Sequence, residues 1–202
     1  MSCMGLRGWV FAVGLFAGLW TTPAVADGVL LGPTGLRAGS RASLAAAIGQ
    51  ARKANPEAFV RIARVREVAE RAAGSQHGRL PTITPALKSL GKPALFPMIE
   101  MMAFDAPARG ALSDRAWLAL RVGSIEAVGA QREPMSEGVL AAILQTPSTE
   151  PEVVRAAAKA LGRLGTDTAA ATLTEMSSVP GTKQMSVIEG MGTVVAMRLH
   201  ST

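Results

Sequence analysis

Tyrosine is absent from these 202 residues, and aromatic side chains of all kinds account for 4% of them. With so few rings, alanine and leucine must fill the interior, which favours closely spaced helices. The single cysteine, Cys3, lies ahead of the first apolar run. Beyond it the chain has no thiol, so a disulfide framework, a zinc–thiolate site and a thiol nucleophile are all excluded there. Histidine is almost as scarce: His77 sits in the glycine-flanked stretch "GSQHG", and His200 stands near the end. Two distant histidines without a thiol do not make a metal site. The spacings G-x-x-x-x-G-K-[ST], G-x-G-x-x-G and G-x-S-x-G do not occur, which removes the common phosphate loops and the nucleophile elbow. No catalytic residue, metal or cofactor is expected, and the chain is not expected to be an enzyme.

The longest apolar run is short. "WVFAVGLFAGLW" covers 12 residues from Trp9 to Trp20, whereas a membrane-spanning helix needs about 20. Arg7 precedes the run, and "TTPAVADG" follows it with small residues at Ala24 and Ala26. A charged start, an apolar middle and an A-x-A site are the order of a secretory signal peptide, with the cut expected between Ala26 and Asp27. Residues 1–26 are therefore expected to be removed; the alternative reading is an uncleaved anchor, against which stand the short run and the A-x-A site. The exported product, periplasmic or secreted, would be a chain of 176 residues (27–202), enough for one domain with its own core.

Acidic residues are few in the next stretch. Residues 28–79 hold eight arginines and one lysine against three glutamates, whereas eleven basic residues balance eleven acidic ones from position 80 onward. The excess positive charge of the chain therefore resides in the first third of the exported part. Arg61, Arg64 and Arg71 form a candidate surface for an acidic protein or an anionic envelope surface. The interspersed Glu57, Glu67 and Glu70 also fit a solvated, salt-laced helix face. Nucleic acid is not an expected partner, because export removes the protein from it and no aromatics interleave with the basic residues.

The stretch "PEVVRAAAKALGRLGTD" (151–167) places Val153, Ala157, Ala160, Leu161 and Leu164 on one helix face, with Arg155, Lys159 and Arg163 spaced four apart on another. Thr149 and Glu152 have capping-box spacing, Gly165 supplies a stop, and Thr166 or Asp167 can cap a second helix. The pattern of an apolar residue, two positions, another apolar residue and a glycine recurs four times. It places Gly91, Gly129, Gly162 and Gly192 at spacings of 38, 33 and 30 residues. A second amphipathic segment follows each of the first three copies, at 93–104, 135–146 and 168–177. A helix pair repeated at this period predicts an α-solenoid. The stretches "PEVVRAAAKALGRLG", "LRVGSIEAVGAQ" and "LKSLGKPALFPMIEMM" resemble HEAT repeats, most closely the short bacterial kind related to the repeats of phycobilisome bilin lyases. The resemblance covers about residues 82–199.

The expected architecture is all-α: a short α-solenoid of HEAT-like antiparallel helix pairs (81–202) behind an N-terminal lead and basic helical cap (27–80). Residues 27–40 read as a flexible lead. A helix follows over 41–54, and another over 56–73 is expected to bury Ala58, Ile62, Val65, Ala69 and Ala72. The HEAT resemblance implies a non-catalytic scaffold that binds a protein partner. It also implies that second helices line the binding face, which makes Glu100, Met101, Gln145 and Glu175 candidate contacts. In the last pair a short second helix is expected at about 193–199. Its methionine- and valine-rich surface, including Met191 and Met197, is a candidate for association with a partner or a second copy.

Overall fold

A computed structural model describes residues 29–75, 78, 80–147, 150–178 and 184–199. Side chains are described for these residues except 186 and 193–199. The signal segment with Ala26 and Asp27, the two histidines, Thr149 and the Met197 side chain lie outside the described residues.

Ten α-helices make up the described fold, and no strand occurs among these residues. They are α1 (Ala38–Ala54), α2 (Pro56–Ala63), α3 (Val65–Ser75), α4 (Thr84–Lys88), α5 (Leu95–Ala103), α6 (Asp114–Gln131), α7 (Glu137–Gln145), α8 (Pro151–Leu164), α9 (Asp167–Ser177) and α10 (Gln184–Leu199). The fold is the expected all-α solenoid of helix pairs. α4, α6, α8 and α10 pack side by side in one row. The second helix of each pair packs on the first helix of the next: α5 on α6, α7 on α8, and α9 on α10. Each pair thus covers the apolar face that its neighbour exposes, which is how a solenoid builds one continuous core. A single cluster of buried side chains runs from Val29 to Val187.

The best-marked pair is α8–α9. Pro151 occupies the first turn of α8, where its missing N–H costs nothing. Val153, Val154, Ala157, Ala160 and Leu161 are buried, and Gly165 ends the helix in the left-handed conformation at φ 69°. Thr166 caps α9, its hydroxyl accepting from the Ala169 N–H at 3.1 Å. The N-cap of α8 is Glu150 rather than Thr149, so Glu152 stands one position too early for the expected capping box.

Small residues let the first-helix row close up. A Cβ on Gly129 of α6 would overlap Ala160 of α8, and one on Gly190 of α10 would lie 2.6 Å from the Ala158 carbonyl oxygen. The matching positions Lys159 and Glu189 of adjacent repeats form an ion pair at 3.2 Å, and Arg155 reaches the same carboxylate at 3.6 Å.

Four expectations are corrected. Residues 29–36 are not a free lead. Val29, Leu31 and Leu36 are buried, and the Val29, Leu30 and Leu31 N–H groups donate to the Met101 and Met102 carbonyls at 3.0–3.1 Å. Arg41 donates to the Ala103 carbonyl at 3.3 Å, and the Phe104 and Asp105 N–H groups take the Glu100 carbonyl. The last four carbonyls of α5, which no helix can satisfy internally, are all accounted for in this way. Second, the helix expected over 56–73 breaks at Arg64. The break lets α2 lie on α5 while α3 lies on α6. Third, α4 is barely more than one turn, and α3 supplies much of the packing on α6 that a full first helix would give. Fourth, the last segment is one continuous helix, α10, not a hairpin with a second helix at 193–199.

Candidate partner-binding surface

The site with the most distinct geometry lies beside α2. Pro56 starts this helix, and Ala58, Phe59 and Ile62 are buried against the rest of the protein. Apolar residues occupy more of its circumference than the core can cover, so Val60 is left 52% exposed. The edge carrying Pro56, Phe59, Val60 and Ala63 faces Pro97, Glu100 and Met101 of α5 across an open cleft of about 550 Å³. Asp105 and Pro107, from the loop after α5, close one side, and Arg52 from the last turn of α1 closes another.

The charged groups of the cleft are ordered by contacts. The Arg52 guanidinium lies over the Phe59 ring at 4.1 Å and forms an ion pair with Glu100. This combines a cation–π contact with a charge-assisted hydrogen bond and aligns the arginine along one wall. Asp105 is exposed at the far rim. Arg64 stands one turn on from Val60 and is exposed, as is Arg61, which borders a smaller hollow with Glu57, Leu90 and Pro93 on the other flank of α2. Neither Arg61 nor Arg64 takes part in an ion pair among the described residues.

The structure thus gathers Arg61, Arg64, Glu100 and Met101 around α2. Met101 is 4% exposed. It forms the floor of the cleft and is not the open second-helix contact expected, because α1, α2 and residues 29–36 cover α5. Arg71 lies apart on α3, its Nε donating to the Glu67 carbonyl at 3.3 Å. Gln145 and Glu175 lie on α7 and α9, away from the cleft, and Met191 is half-buried on α10. Phe59, Val60, Pro97 and Arg52 were not singled out from the sequence. Adjacent Phe59 and Val60 on a short helix were the available signal, since successive helix positions point in different directions and Ala58, Phe59 and Ile62 already fill the buried face.

Among the described residues, no cluster of three or more histidine, cysteine, aspartate or glutamate side chains is placed to hold a metal ion, and no helix is long and apolar enough to cross a membrane. The sequence profile of HEAT repeats matches residues 107–187. The match spans α6 to the start of α10, so this segment is similar to HEAT repeats, a kind of repeat that commonly mediates protein–protein interaction. No curated protein and no solved structure matches the chain.

Proposed function

We propose that this chain is an exported, non-catalytic scaffold that works in the periplasm or as a secreted protein after loss of residues 1–26. It binds a protein partner on the surface centred on α2. The observation that carries this reading is the open cleft beside α2, apolar at Phe59, Val60, Pro97 and Met101 and edged by the charged Arg52, Glu100 and Asp105. Apolar trough and charged rim together are the anatomy of a protein-binding surface. The outer sides of α7 and α9, with Gln145 and Glu175, extend the same role along the repeats. The finer likeness to phycobilisome-lyase repeats adds no pigment chemistry to this role, which needs only the repeat surface.

An electrostatic variant is favoured by Arg61 and Arg64: docking on an acidic partner or an anionic envelope surface through the basic helix. Crosslinking and pull-down of the exported protein from its own envelope fraction tests both. Capture of one protein that tolerates salt supports the scaffold. Capture lost on raising salt supports the electrostatic variant. No specific crosslink under either condition overturns both.

Self-association is favoured at one further place. Met185 and Ile188 stand 71% and 48% exposed on one side of α10, where a solenoid end would ordinarily be polar. Sedimentation of the wild type against Met185→Glu tests it, and a wild type that stays monomeric at high concentration overturns it.

A further inference from the structure

The row of first helices closes over small residues. Gly129 of α6 meets Ala160 of α8, and Gly190 of α10 meets the Ala158 backbone. Gly192 holds in α10 the repeat position that Gly129 holds in α6. It therefore faces the side on which a further first helix would pack, yet a Cβ there would meet nothing within 4 Å. Ile188 and Met185 stand about one and two turns before it and are 48% and 71% exposed. Val187 and Gly190, on the opposite side of the helix, are buried where α10 packs on α8 and α9. The spacing 185, 188, 192 is that of a coiled-coil seam, and Val195 and Leu199 continue it in the sequence as far as the helix runs. Counted from Gly192, the apolar positions Met185 and Ile188 are mirrored by Leu199 and Ala196. The two charged residues of α10, Glu189 and Arg198, fall outside these positions, and Lys159 and Arg155 of α8 engage Glu189.

We propose that this stripe of α10 binds the same stripe of a second copy of the chain, the two helices running antiparallel and crossing at Gly192. The proposal rests on the self-association reading above and specifies its surface and symmetry. A two-fold contact needs a self-complementary face, on which position i meets j and j meets i. The mirrored spacing about Gly192 supplies one: position 185 of one chain falls opposite 199 of the other, and 188 opposite 196. A different partner would not need that mirror. Glycine at the crossing lets the two backbones approach, as Gly129 and Gly190 do inside the row. The antiparallel sense also opposes the two helix dipoles, and no charge on the seam has to be desolvated. One face of a 16-residue helix is smaller than the standard interface of roughly 1,600 Å², so the dimer dissociates on dilution.

Sedimentation of the full chain over a range of concentrations should show one chain passing to two. Ile188→Glu should raise the dissociation constant at least about tenfold with an unchanged melting curve, and Ile188→Leu should retain the dimer. Thiol crosslinking tests the geometry without relying on a disruptive variant. In the full chain carrying Cys3→Ser, an introduced cysteine is the only thiol. A short bismaleimide should link Gly192→Cys into a dimer, because the residue on the two-fold axis meets itself. It should not link Gly49→Cys, which is exposed on α1 with nothing within 4 Å of its Cβ. Met185→Cys should link to Leu199→Cys when the two variants are mixed. It should not link to itself, since antiparallel copies hold the two 185 positions about 21 Å apart along the helix. A dimer that survives Ile188→Glu, absence of the link at 192, or Met185→Cys linked to itself overturns the proposal and leaves self-association through another contact. A wild type that is monomeric at every concentration removes both, and so does one that associates only on phosphatidylglycerol vesicles.

Discussion

Gly129 of α6 lies directly against Ala160 of α8, so close that a methyl group at position 129 would overlap both the Cβ and the Cα of Ala160. Two opposing effects meet here. Alanine is the better helix former by about 1 kcal/mol, while forcing an extra carbon into a packed contact costs about 1–3 kcal/mol. Because the atom met is partly backbone, the helices must separate to admit it. Gly129→Ala is expected to destabilise the fold by an amount at the upper end of that range and so to lower the denaturation midpoint. Gly49→Ala is the counterpart. Gly49 lies within α1, and a methyl group there would meet nothing within 4 Å, so the substitution should stabilise by about 0.5–1 kcal/mol. Urea denaturation of both variants checks the pair, and equal signs would refute the helix-contact explanation.

Leu31 is 1% exposed although it belongs to a stretch with no helix or strand. Leu31→Ala should cost about 2–5 kcal/mol, the cost of a core truncation. Removing residues 29–36 altogether should cost more, because the Met101 and Met102 carbonyls lose their donors. Thermal melts of the two variants against the parent chain decide this. A truncated chain as stable as the parent would mean that the segment is not part of the core.

Thr166 couples two repeats through one hydroxyl. It accepts from the Ala169 N–H and donates to the Glu137 carboxylate at 2.6 Å, tying the start of α9 to the first turn of α7. Thr166→Ala is expected to destabilise by about 1 kcal/mol and Thr166→Ser to keep most of the stability. Guanidinium denaturation of these variants alone and combined with Glu137→Gln measures the coupling. Strict additivity would show that the two contacts act independently.

Export should leave a chain that starts at Asp27. A cut there preserves Val29, whose N–H holds the Met101 carbonyl at 3.0 Å. Intact-mass measurement on the periplasmic or secreted fraction checks the position. A product that still carries residues 1–26, or one shortened beyond Val29, contradicts it.

Some of this architecture was legible from short stretches of chain. Pro151, Gly165 and Thr166 mark the ends of α8 and α9 because capping and turn chemistry act within a few residues, and the apolar face of α8 shows in its 3.6-residue period. The repeat spacing disclosed the solenoid but not the role of each glycine. Gly129 permits a close helix contact, Gly91 takes a φ of 69° in a turn, and Gly192 faces open space. The break at Arg64 was illegible, since the apolar pattern of 56–73 runs through it without a proline or glycine. It arises because α2 must cover α5 while α3 covers α6, a demand set by helices some thirty to sixty residues away along the chain. The docking of residues 29–36 was hidden for the same reason: only the folded chain presents the unsatisfied carbonyls at the end of α5. The cleft follows suit, with walls drawn from α1, α2, α5 and the loop after it. Local periodicity and capping set which residues become helix. Which helix ends and apolar edges meet depends on packing between distant segments, and there the candidate binding surface was made.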